Sequence, residues 1–242
     1  MPAFVSSSAS CGPVIRSGFI WDAADAYLFD IDGTLLNSRD SVHYFAFQHA
    51  IRKVLGIEAG IDGVPVHGNT DIGIVRAVLR REGLEDDVVN THLPQIVEQM
   101  CAEVRRNSEQ LQPEICPSIP DLIARLQVRG KLLGVASGNL EPIGWLKLEK
   151  TRLRSMFPLG SFAWPRESRT EIFAHGVELV RQRLGPDASV CVVGDTPSDI
   201  EAARAVGAAI IVLSTGVYPF SQLAAEAPDA CLASAADLLS LP

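Results

Sequence analysis

The sequence of 242 residues contains no apolar run near the roughly 18 residues that a membrane-spanning helix needs. It also has fewer basic than acidic side chains, 21 against 29. The resulting net charge of −8 disfavours contact with nucleic-acid phosphates and anionic lipids, so we expect neither nucleic acid nor a membrane as a partner. A small phosphorylated metabolite is compatible with this charge, because a bound cation and local basic side chains can reverse the field inside one pocket.

The cysteines offer no disulfide framework. They are five in number and form no Cys-x-x-Cys pair, which is typical of a protein from a reducing compartment. Residues 1–20 lack the basic start and the apolar stretch of a signal peptide. We therefore expect a cytoplasmic protein whose residues 1–20 form a loosely ordered N-terminal extension.

The pattern of apolar residues predicts an α/β fold. With 47% hydrophobic and 21% charged side chains, the chain can bury a substantial core. Short apolar runs predict buried parallel strands, and helical periodicities lie between them. The expected architecture is a doubly wound, mostly parallel sheet, in which ligands bind at the carboxyl ends of the strands. The runs cover residues 27–29, 132–136, 190–193 and 209–213.

The interval between the first two predicted strands is too long for a simple crossover. It contains three helical patterns, within residues 44–55, 72–79 and 93–104, which indicate an inserted helical cap domain. Turn-forming residues flank this insertion. The predicted division is an extension at 1–20, an α/β core at 21–41 and 112–242, and a cap at 42–111.

Two carboxylates, Asp30 and Asp32, follow the first predicted strand, and Gly33 lets the backbone leave the strand in a tight turn. Neighbouring carboxylates repel unless a cation or a shared proton joins them, so the pair indicates a Mg²⁺ site with oxygen ligands. One of the two could also be a nucleophile. Thr34 offers a hydroxyl near the same edge. The alternative is an aspartate that caps a turn.

The second predicted strand ends in Ser137, Gly138 and Asn139. A hydroxyl, a glycine and free backbone N–H groups before a helix are typical of a phosphate-binding turn. The same residues also occur in ordinary turns and helix caps.

A second pair of acids, Asp195 and Asp199, follows the third predicted strand. Asp195 is placed to reach the same cation as Asp30. Alternatively, Asp195 or Ser198 is the N-cap of the following helix, and Asp199 interacts with the helix dipole.

Three motifs at the strand ends resemble those of one enzyme superfamily. They are Asp30-x-Asp32-Gly33-Thr34, Ser137, and the Gly-Asp-Thr-Pro-Ser-Asp stretch at 194–199. Over about residues 25–235 the chain resembles the haloacid dehalogenase superfamily in its phosphatase branch, and the helical insertion lies where that superfamily has a cap. Within it, the chain is similar to phosphoglycolate-phosphatase-like hydrolases, through Gly-Asn-Thr-Asp at 68–71 and Gly-Asn-Leu-Glu at 138–141.

The resemblance implies a mechanism with an aspartyl-phosphate intermediate. Asp30 would attack phosphorus, and Asp32 would protonate the leaving oxygen and then deprotonate the attacking water. Mg²⁺ would be held by Asp30, Asp195 and the main-chain carbonyl of Asp32. The dehalogenases of the superfamily carry an aromatic residue at the position of Asp32, so an acid here implies an alcohol as leaving group.

The other roles implied by the resemblance concern the phosphoryl group and the surroundings of the metal. Ser137, with the backbone around Gly138 and Asn139, would bind the phosphoryl oxygens. Asp199 and Thr34 would lie close to the metal ligands.

One departure from the superfamily concerns a lysine that usually precedes the helix leading to the third strand. Residues 164–171 contain no lysine. Arg169 is the first candidate to replace it, Arg166 the second, and Lys147 on the preceding helix the third. The alternative is that the arginine lies on a solvated loop and does not reach the site.

Substrate choice is expected to depend on the cap. Asn69, Thr70 and Asp71 are the candidates that face the substrate, although they could equally cap the following helix. Arg76 and its neighbours could contact an anion, but a solvated helix face is the simpler interpretation.

The sequence leaves three functions open. The first is a Mg²⁺-dependent phosphatase for a small metabolite of the phosphoglycolate or sugar-phosphate type. The second is a phosphomutase of the β-phosphoglucomutase type, which returns the phosphoryl group to the sugar. The third is a degenerate phosphate-binding or regulatory module without catalysis. We expect a monomer or a homodimer.

Overall fold

Short, largely apolar segments form the strands of the protein, whose computed structural model describes residues 12–241. One sheet has the strand order β1-β9-β8-β7-β2-β5-β6, and only the β1–β9 pair is antiparallel; β3 and β4 form a separate antiparallel pair. The strands are β1 (Val14–Ile15), β2 (Ala26–Phe29), β3 (Leu36–Ser38), β4 (Pro113–Ile115), β5 (Leu132–Leu140), β6 (Leu159–Ala163), β7 (Val190–Gly194), β8 (Ala209–Leu213) and β9 (Ala230–Leu232).

The helices begin and end where the sequence supplies caps. Thr70, Ser168, Thr196 and Ser234 each accept a hydrogen bond from a backbone N–H of the first turn of their helix. The helices are α1 (Val42–Leu55), α2 (Asp71–Arg81), α3 (Asp86–Arg106), α4 (Ile119–Val128), α5 (Glu141–Lys150), α6 (Arg169–Leu184), α7 (Pro197–Ala205), α8 (Phe220–Ala225) and α9 (Ala235–Leu239), with 3₁₀ turns at Ser108–Gln110 and Arg154–Met156.

The predicted architecture is confirmed. All four apolar runs are strands, now β2, β5, β7 and β8, and they lie side by side in parallel. The structure adds β6, β9 and β1, which extend the sheet on both sides. β2 lies at the point where the strand order reverses, with β5 on one side and β7 on the other. Ligands of such sheets bind at this point.

Apolar side chains cover both faces of the sheet. On one face, Leu28 belongs to a cluster that continues through α6 into the three helices of the insertion. On the other face, Phe29 packs in a second cluster with α4 and with Trp21. Because both faces are buried, the strands are apolar throughout and do not alternate between polar and apolar residues.

The helical insertion connects to the sheet through a two-stranded ribbon. Helices α1, α2 and α3 lie between β3 and β4, whose residues pair from Leu36 with Ile115 to Ser38 with Pro113. The chain therefore leaves the sheet region and returns to it at one place. We propose that the cap comprises residues 42–111 and the core 21–41 and 112–242.

The first twenty residues are not a loose extension throughout. Val14 and Ile15 form the edge strand β1, which pairs with Cys231 and Ala230 of β9. The main chain and side chain of Arg16 both bind Asp229. The expectation for residues 1–11 falls outside the described residues. The described helices do not include one with both the length and the apolar character that crossing a bilayer requires.

Candidate active site

The carboxyl end of β2 brings the first acidic motif to the middle of the sheet edge. Asp30 follows β2 directly, and its backbone N–H donates to the carbonyl of Val193 in the neighbouring strand β7. Asp195 follows the end of β7, and Ser137 lies in β5 on the other side. The three predicted motifs therefore meet at one edge, because parallel strands present their carboxyl ends together.

Gly33 is required by the turn that follows Asp30. Its φ of +87° is unfavourable for other residues, and a Cβ at this position would lie 2.2 Å from a carboxylate oxygen of Asp195. Thr34 donates from its hydroxyl to Asp195 over 3.1 Å. The turn thus packs its backbone directly against the second acidic motif.

Three buried carboxylates come together at the sheet edge. One oxygen each from Asp30, Asp195 and Asp199 lie within 4.8 Å of one another. Magnesium in proteins is bound by oxygen ligands of this kind. The donor set fits Mg²⁺, and Asp30 and Asp195 are the residues that would hold it.

The pKa values of this cluster show that its negative charge is poorly compensated. Burial raises the pKa of Asp30 to about 6, against the lowering effect of Arg169. Burial, together with Asp199 and Asp30, raises the pKa of Asp195 to about 9. Both shifts mean that these carboxyls hold their protons more tightly than ordinary aspartates, because their ionised forms are buried and repel one another. A divalent cation would relieve the same repulsion.

Arg169 is inserted between two of these acids. At the N-terminus of α6, its Nε donates to Asp199 over 2.6 Å, and a terminal nitrogen donates to Asp30 over 2.5 Å. Asp199 is fully buried, and its second oxygen accepts from the hydroxyl of Thr196 at 2.8 Å. Asp199 therefore positions both the guanidinium of Arg169 and the start of α7.

Lys147 is a second cation of the site. It is buried on α5, and its Nζ donates to Asp32 over 2.7 Å and to the Oδ1 of Asn139 over 2.8 Å. The Nδ2 of Asn139 donates at 2.8 Å to both Asp32 and the hydroxyl of Ser137. These contacts form a continuous hydrogen-bonded chain from the candidate acid to the candidate phosphate-binding serine.

Asp32 differs from the buried cluster in its exposure and its charge. Its side chain is 41% exposed and faces Lys147. Although the partial burial of the carboxyl opposes the effect, Lys147 and the hydrogen bond from Asn139 hold its pKa below the usual range. In this state Asp32 is ionised at neutral pH.

The insertion closes over the site at Gly138. A Cβ on Gly138 would lie 2.6 Å from the main-chain oxygen of Asn69, so only glycine permits this approach. The hydroxyl of Thr70 donates to the carbonyl of Glu167 over 2.6 Å. Asp71 accepts from the backbone N–H of Leu140 over 2.7 Å. Three successive residues of the insertion thus contact the core beside the acids.

An ion pair joins the two parts at a second point. Arg76 on α2 binds Glu167, which precedes α6, through two hydrogen bonds of 2.6 Å each. The Arg76 side chain is 16% exposed and that of Glu167 is 42% exposed. Arg76 therefore lies outside the cavity lining and is not on a solvated face.

The structure brings most of the predicted site residues around one cavity of about 260 Å³. Thr34 and Asp199 lie behind its wall, against Asp195 and Arg169. The lining residues include Asp30, Asp32, Asn69, Asp71, Ser137, Gly138, Asn139, Lys147, Arg169 and Asp195. Their assigned roles stay predictions.

Two details differ from the sequence-based interpretation. The N-cap of α7 is Thr196, in a capping box with Asp199, and is neither Asp195 nor Ser198. The third carboxylate near Asp30 and Asp195 is that of Asp199, whereas the Asp32 carboxylate turns to Lys147. A metal contact from Asp32 would have to come from its main-chain carbonyl, as the resemblance implies.

The structure also distinguishes between the three basic residues that could replace the missing lysine. Arg169 and Lys147 both line the cavity. Arg166 instead reaches the main-chain oxygen of Phe162, at 3.4 Å. The site thus contains two of the three candidate cations.

Two site residues received little weight from sequence reasoning. His43 on α1 lines the cavity and contacts Asp71 at 3.1 Å. Lys147 was only the third candidate. A signal existed for both, because each polar residue falls at helical spacing from buried apolar positions, His43 before Phe47 and Lys147 after Ile143.

Comparisons with known proteins agree with this geometry. The family model of haloacid dehalogenase-like hydrolases matches residues 24–207. A phosphoglycolate phosphatase from Synechococcus elongatus is 29% identical over 218 residues, which cover 88% of this chain and 95% of that protein.

Solved structures share the fold, among them the following two. A predicted phosphoglycolate phosphatase from Haemophilus somnus 129PT has a TM-score of 0.64 at 20% identity, covering 89% of this chain and 96% of the other. CbbY from Rhodobacter sphaeroides in complex with phosphate has a TM-score of 0.59 at 19% identity, covering 81% and 87%. The predicted fold and the predicted hydrolase class are confirmed, and the chain belongs to the haloacid dehalogenase-like hydrolase family.

Proposed function

We propose that the protein is a Mg²⁺-dependent phosphatase that hydrolyses a small phosphate monoester of the phosphoglycolate or sugar-phosphate type through an aspartyl-phosphate on Asp30. The observation that carries this proposal is the convergence of Asp30, Asp195 and Asp199 beside the serine of the phosphate-binding turn. The similarity to a phosphoglycolate phosphatase supports the same reaction class. The cytoplasm is the compartment that we propose, from the cysteine pattern alone.

In the first step, a carboxylate oxygen of Asp30 forms a bond to phosphorus while the ester P–O bond breaks. Asp32 gives its proton to the departing alkoxide. A bound Mg²⁺ supplies charge neutralisation between the carboxylates and the phosphoryl oxygens. Ser137 and the backbone around Gly138 hold those oxygens, and Arg169 places a fixed positive charge against Asp30.

Asp32 must gain a proton before it can act as an acid, since Lys147 keeps it ionised. The approach of a phosphate dianion favours the protonated carboxyl, because nearby negative charge raises a pKa. In the second step, Asp32 is ionised again and removes a proton from water. The water oxygen then bonds to phosphorus, the bond to Asp30 breaks, and inorganic phosphate leaves.

The presence of two cations favours an enzyme over a degenerate module. Arg169 contacts the candidate nucleophile and Lys147 contacts the candidate acid, so the site has positive charge where the motif lacks its usual lysine. This charge offsets the repulsion between the acids and an incoming phosphate.

The test is phosphate release from p-nitrophenyl phosphate and a panel of metabolite monoesters, with Mg²⁺ or with EDTA. We expect Mg²⁺-dependent turnover that falls at least about 10³-fold in Asp30→Asn, because the nucleophile is lost. Asp121→Asn, on the exposed side of α4, is the matched control and keeps wild-type activity.

Two results would contradict the phosphatase. One is a folded wild type without turnover in Mg²⁺. The other is transfer of a labelled phosphoryl group between positions of a sugar without release of free phosphate, which would identify the mutase.

A further inference from the structure

The cavity at the sheet edge carries a surplus of negative charge. Among the residues that the structure describes, its lining contains five carboxylates but only two arginine or lysine side chains, Lys147 and Arg169. A Mg²⁺ ion and the phosphate dianion that it accompanies have opposite charges of equal size, so their joint binding leaves the surplus unchanged. The carboxylates are those of Asp30, Asp32, Asp40, Asp71 and Asp195.

Both basic side chains are held at the phosphoryl end of the cavity. Arg169 lies between Asp30 and Asp199, and Lys147 lies against Asp32 and Asn139. Neither is free to pair with a second anionic group of the substrate.

The wall contributed by the insertion contains one carboxylate, Asp71, two histidines, His43 and His67, and, among the described lining residues, no arginine or lysine. Asp71 is buried, and its carboxylate accepts from the N–H of Leu140 and contacts the Nε2 of His43. With a protonated His43 the pair is neutral, and with a neutral His43 it carries one negative charge. Arg76, the nearest arginine on α2, is bound to Glu167.

The rest of this wall suits an uncharged organic group. Phe47, Val66 and Ile74 offer apolar contacts. The Tyr44 hydroxyl donates to Asp62, and the Asn69 amide is bonded to Pro65 and to the N–H of Thr70. Each keeps further hydrogen-bonding capacity, the Tyr44 oxygen as an acceptor and the Asn69 amide as a donor, that suits a hydroxyl. The cavity of about 260 Å³ is slightly smaller than the ~300–1,000 Å³ of most ligand pockets, so the substrate is small.

Given a phosphatase as proposed above, we propose that its substrate is a small phosphate monoester whose organic part is an uncharged, hydroxylated chain or ring. A substrate with a second anionic group is selected against, because that group would be removed from water next to Asp71 and Asp40. Of the two classes named above, this favours a sugar or polyol phosphate over phosphoglycolate.

The test uses pairs of substrates that differ in charge but little in size. Phosphoglycolate is compared with 2-hydroxyethyl phosphate, and 6-phosphogluconate with glucose 6-phosphate, all at pH 7.5 with Mg²⁺. We expect kcat/KM to be at least tenfold higher for the uncharged member of each pair. p-Nitrophenyl phosphate serves as the reference substrate for the reaction itself.

A substitution tests the electrostatic cause. His67 is exposed and lines the cavity, so His67→Arg adds a positive charge there without disturbing the core. We expect this variant to shift the kcat/KM ratio toward phosphoglycolate by about fivefold or more. Gln95→Arg, on the exposed side of α3 outside the cavity lining, is the control and leaves the ratio unchanged.

The outcomes separate this proposal from the function on which it rests. A wild type without Mg²⁺-dependent activity on p-nitrophenyl phosphate would overturn the phosphatase and the substrate class with it. Activity on p-nitrophenyl phosphate, with a kcat/KM for phosphoglycolate equal to or higher than that for 2-hydroxyethyl phosphate, would overturn the substrate class alone. An unchanged ratio in His67→Arg would do the same.

Discussion

At the scale of single residues, the guanidinium of Arg169 joins two acids that would otherwise repel each other. Burial opposes its charge, but Asp199 and Asp30 raise the pKa of Arg169 above the usual value, so it stays ionised. A planar guanidinium can donate to two carboxylates at fixed angles, whereas an ammonium is a single point of charge. The geometry of the nucleophile therefore depends on an arginine in particular.

We expect graded losses from substitutions at this position. Arg169→Lys keeps the charge but loses one of the two contacts, and kcat/KM should fall about 10- to 100-fold. Arg169→Met leaves two buried carboxylates without their partner and should cost about 10³-fold. Steady-state kinetics of both variants will show whether Arg169→Met loses more kcat/KM than Arg169→Lys. Thermal unfolding checks that both variants fold.

Arg166→Met is the matched control, since Arg166 contacts only a main-chain oxygen and should retain activity. If Arg169→Met stayed active while Lys147→Met was inactive, Lys147 and not Arg169 would be the cation that the reaction requires.

A second prediction concerns the pH dependence of the acid step. Removing the ammonium in Lys147→Met raises the pKa of Asp32, because Lys147 stabilises the ionised carboxylate. Formation of the aspartyl-phosphate needs protonated Asp32 in the substrate complex, so the basic limb of the kcat profile should move to higher pH by about one unit. An unshifted limb, with activity still measurable, would show that Asp32 is not the acid.

The sequence predicted the residues at the strand ends better than those on helices. Asp30, Ser137 and Asp195 follow from the architecture, because the carboxyl ends of parallel strands must share one edge. Lys147 and His43 enter the site only through the packing of α5 and α1. The rotation of a helix about its axis depends on tertiary contacts that periodicity alone does not determine.

At the scale of elements, the N-terminal ends of α2 and α6 form one of the contacts between the cap and the core. Thr70 is both the N-cap of α2 and a donor to the carbonyl of Glu167. Of the two sequence-based alternatives for this residue, the helix cap is confirmed; a role in facing the substrate stays a prediction. The short side chain of Thr70 accepts a hydrogen bond at the start of α2 and at the same time donates one to the segment before α6.

The ion pair between Arg76 and Glu167 is expected to favour the closed arrangement. Arg76→Glu places two negative charges in contact, and kcat/KM should fall about fivefold, the effect of a partly exposed pair worth about 1 kcal/mol. The reversed pair, Arg76→Glu with Glu167→Arg, should recover most of the loss. Kinetics of the two single variants and the double variant form the required cycle.

Arg80→Glu is the control on the same helix, because Arg80 and its partner Asp86 are both largely exposed. A double variant no better than Arg76→Glu alone would rule out this pair as a closing contact.

Within the seven-stranded sheet, the strands that the sequence did not predict are short and lie toward its edges. β6 contains Gly160 and Ser161, and β9 has only three residues. Neither gives an apolar run long enough to stand out from a loop. β1 has two residues, and its pairing with β9 is a contact between distant parts of the chain that no local pattern encodes.

At the scale of the whole molecule, the acids of the active site should lower stability when no metal is bound. The pKa of Asp195 is about 9 in the folded protein, against 3.8 for the ordinary side chain. The folded state thus holds a proton that the unfolded state has lost. Stability contributed by this group is complete below pH 3.8 and decreases as the pH rises toward 9.

We therefore expect Asp195→Asn to be more stable than the wild type in EDTA at pH 8–9, by roughly 2–4 °C in Tm. The difference should vanish near pH 4. In saturating Mg²⁺ the wild type should have the higher Tm, because the variant lacks a metal ligand and is stabilised less by Mg²⁺ binding. Thermal unfolding of both proteins across this pH range, with and without Mg²⁺, provides the measurement.

Asp187→Asn, at an exposed position in the turn after α6, serves as the control and should follow the wild type under every condition. A wild type more stable than Asp195→Asn in EDTA at pH 9 would contradict the argument.

The ribbon of β3 and β4 makes the cap a module whose two ends join the core at one place. Ser38 and Pro113 are partners across this ribbon, so the intervening 39–112 begin and end within about 5 Å of each other. A change in the length of this segment does not alter the register of the seven-stranded sheet. Evolution can therefore exchange or resize the helical insertion, while Asp30, Ser137 and Asp195 keep their places in the sheet.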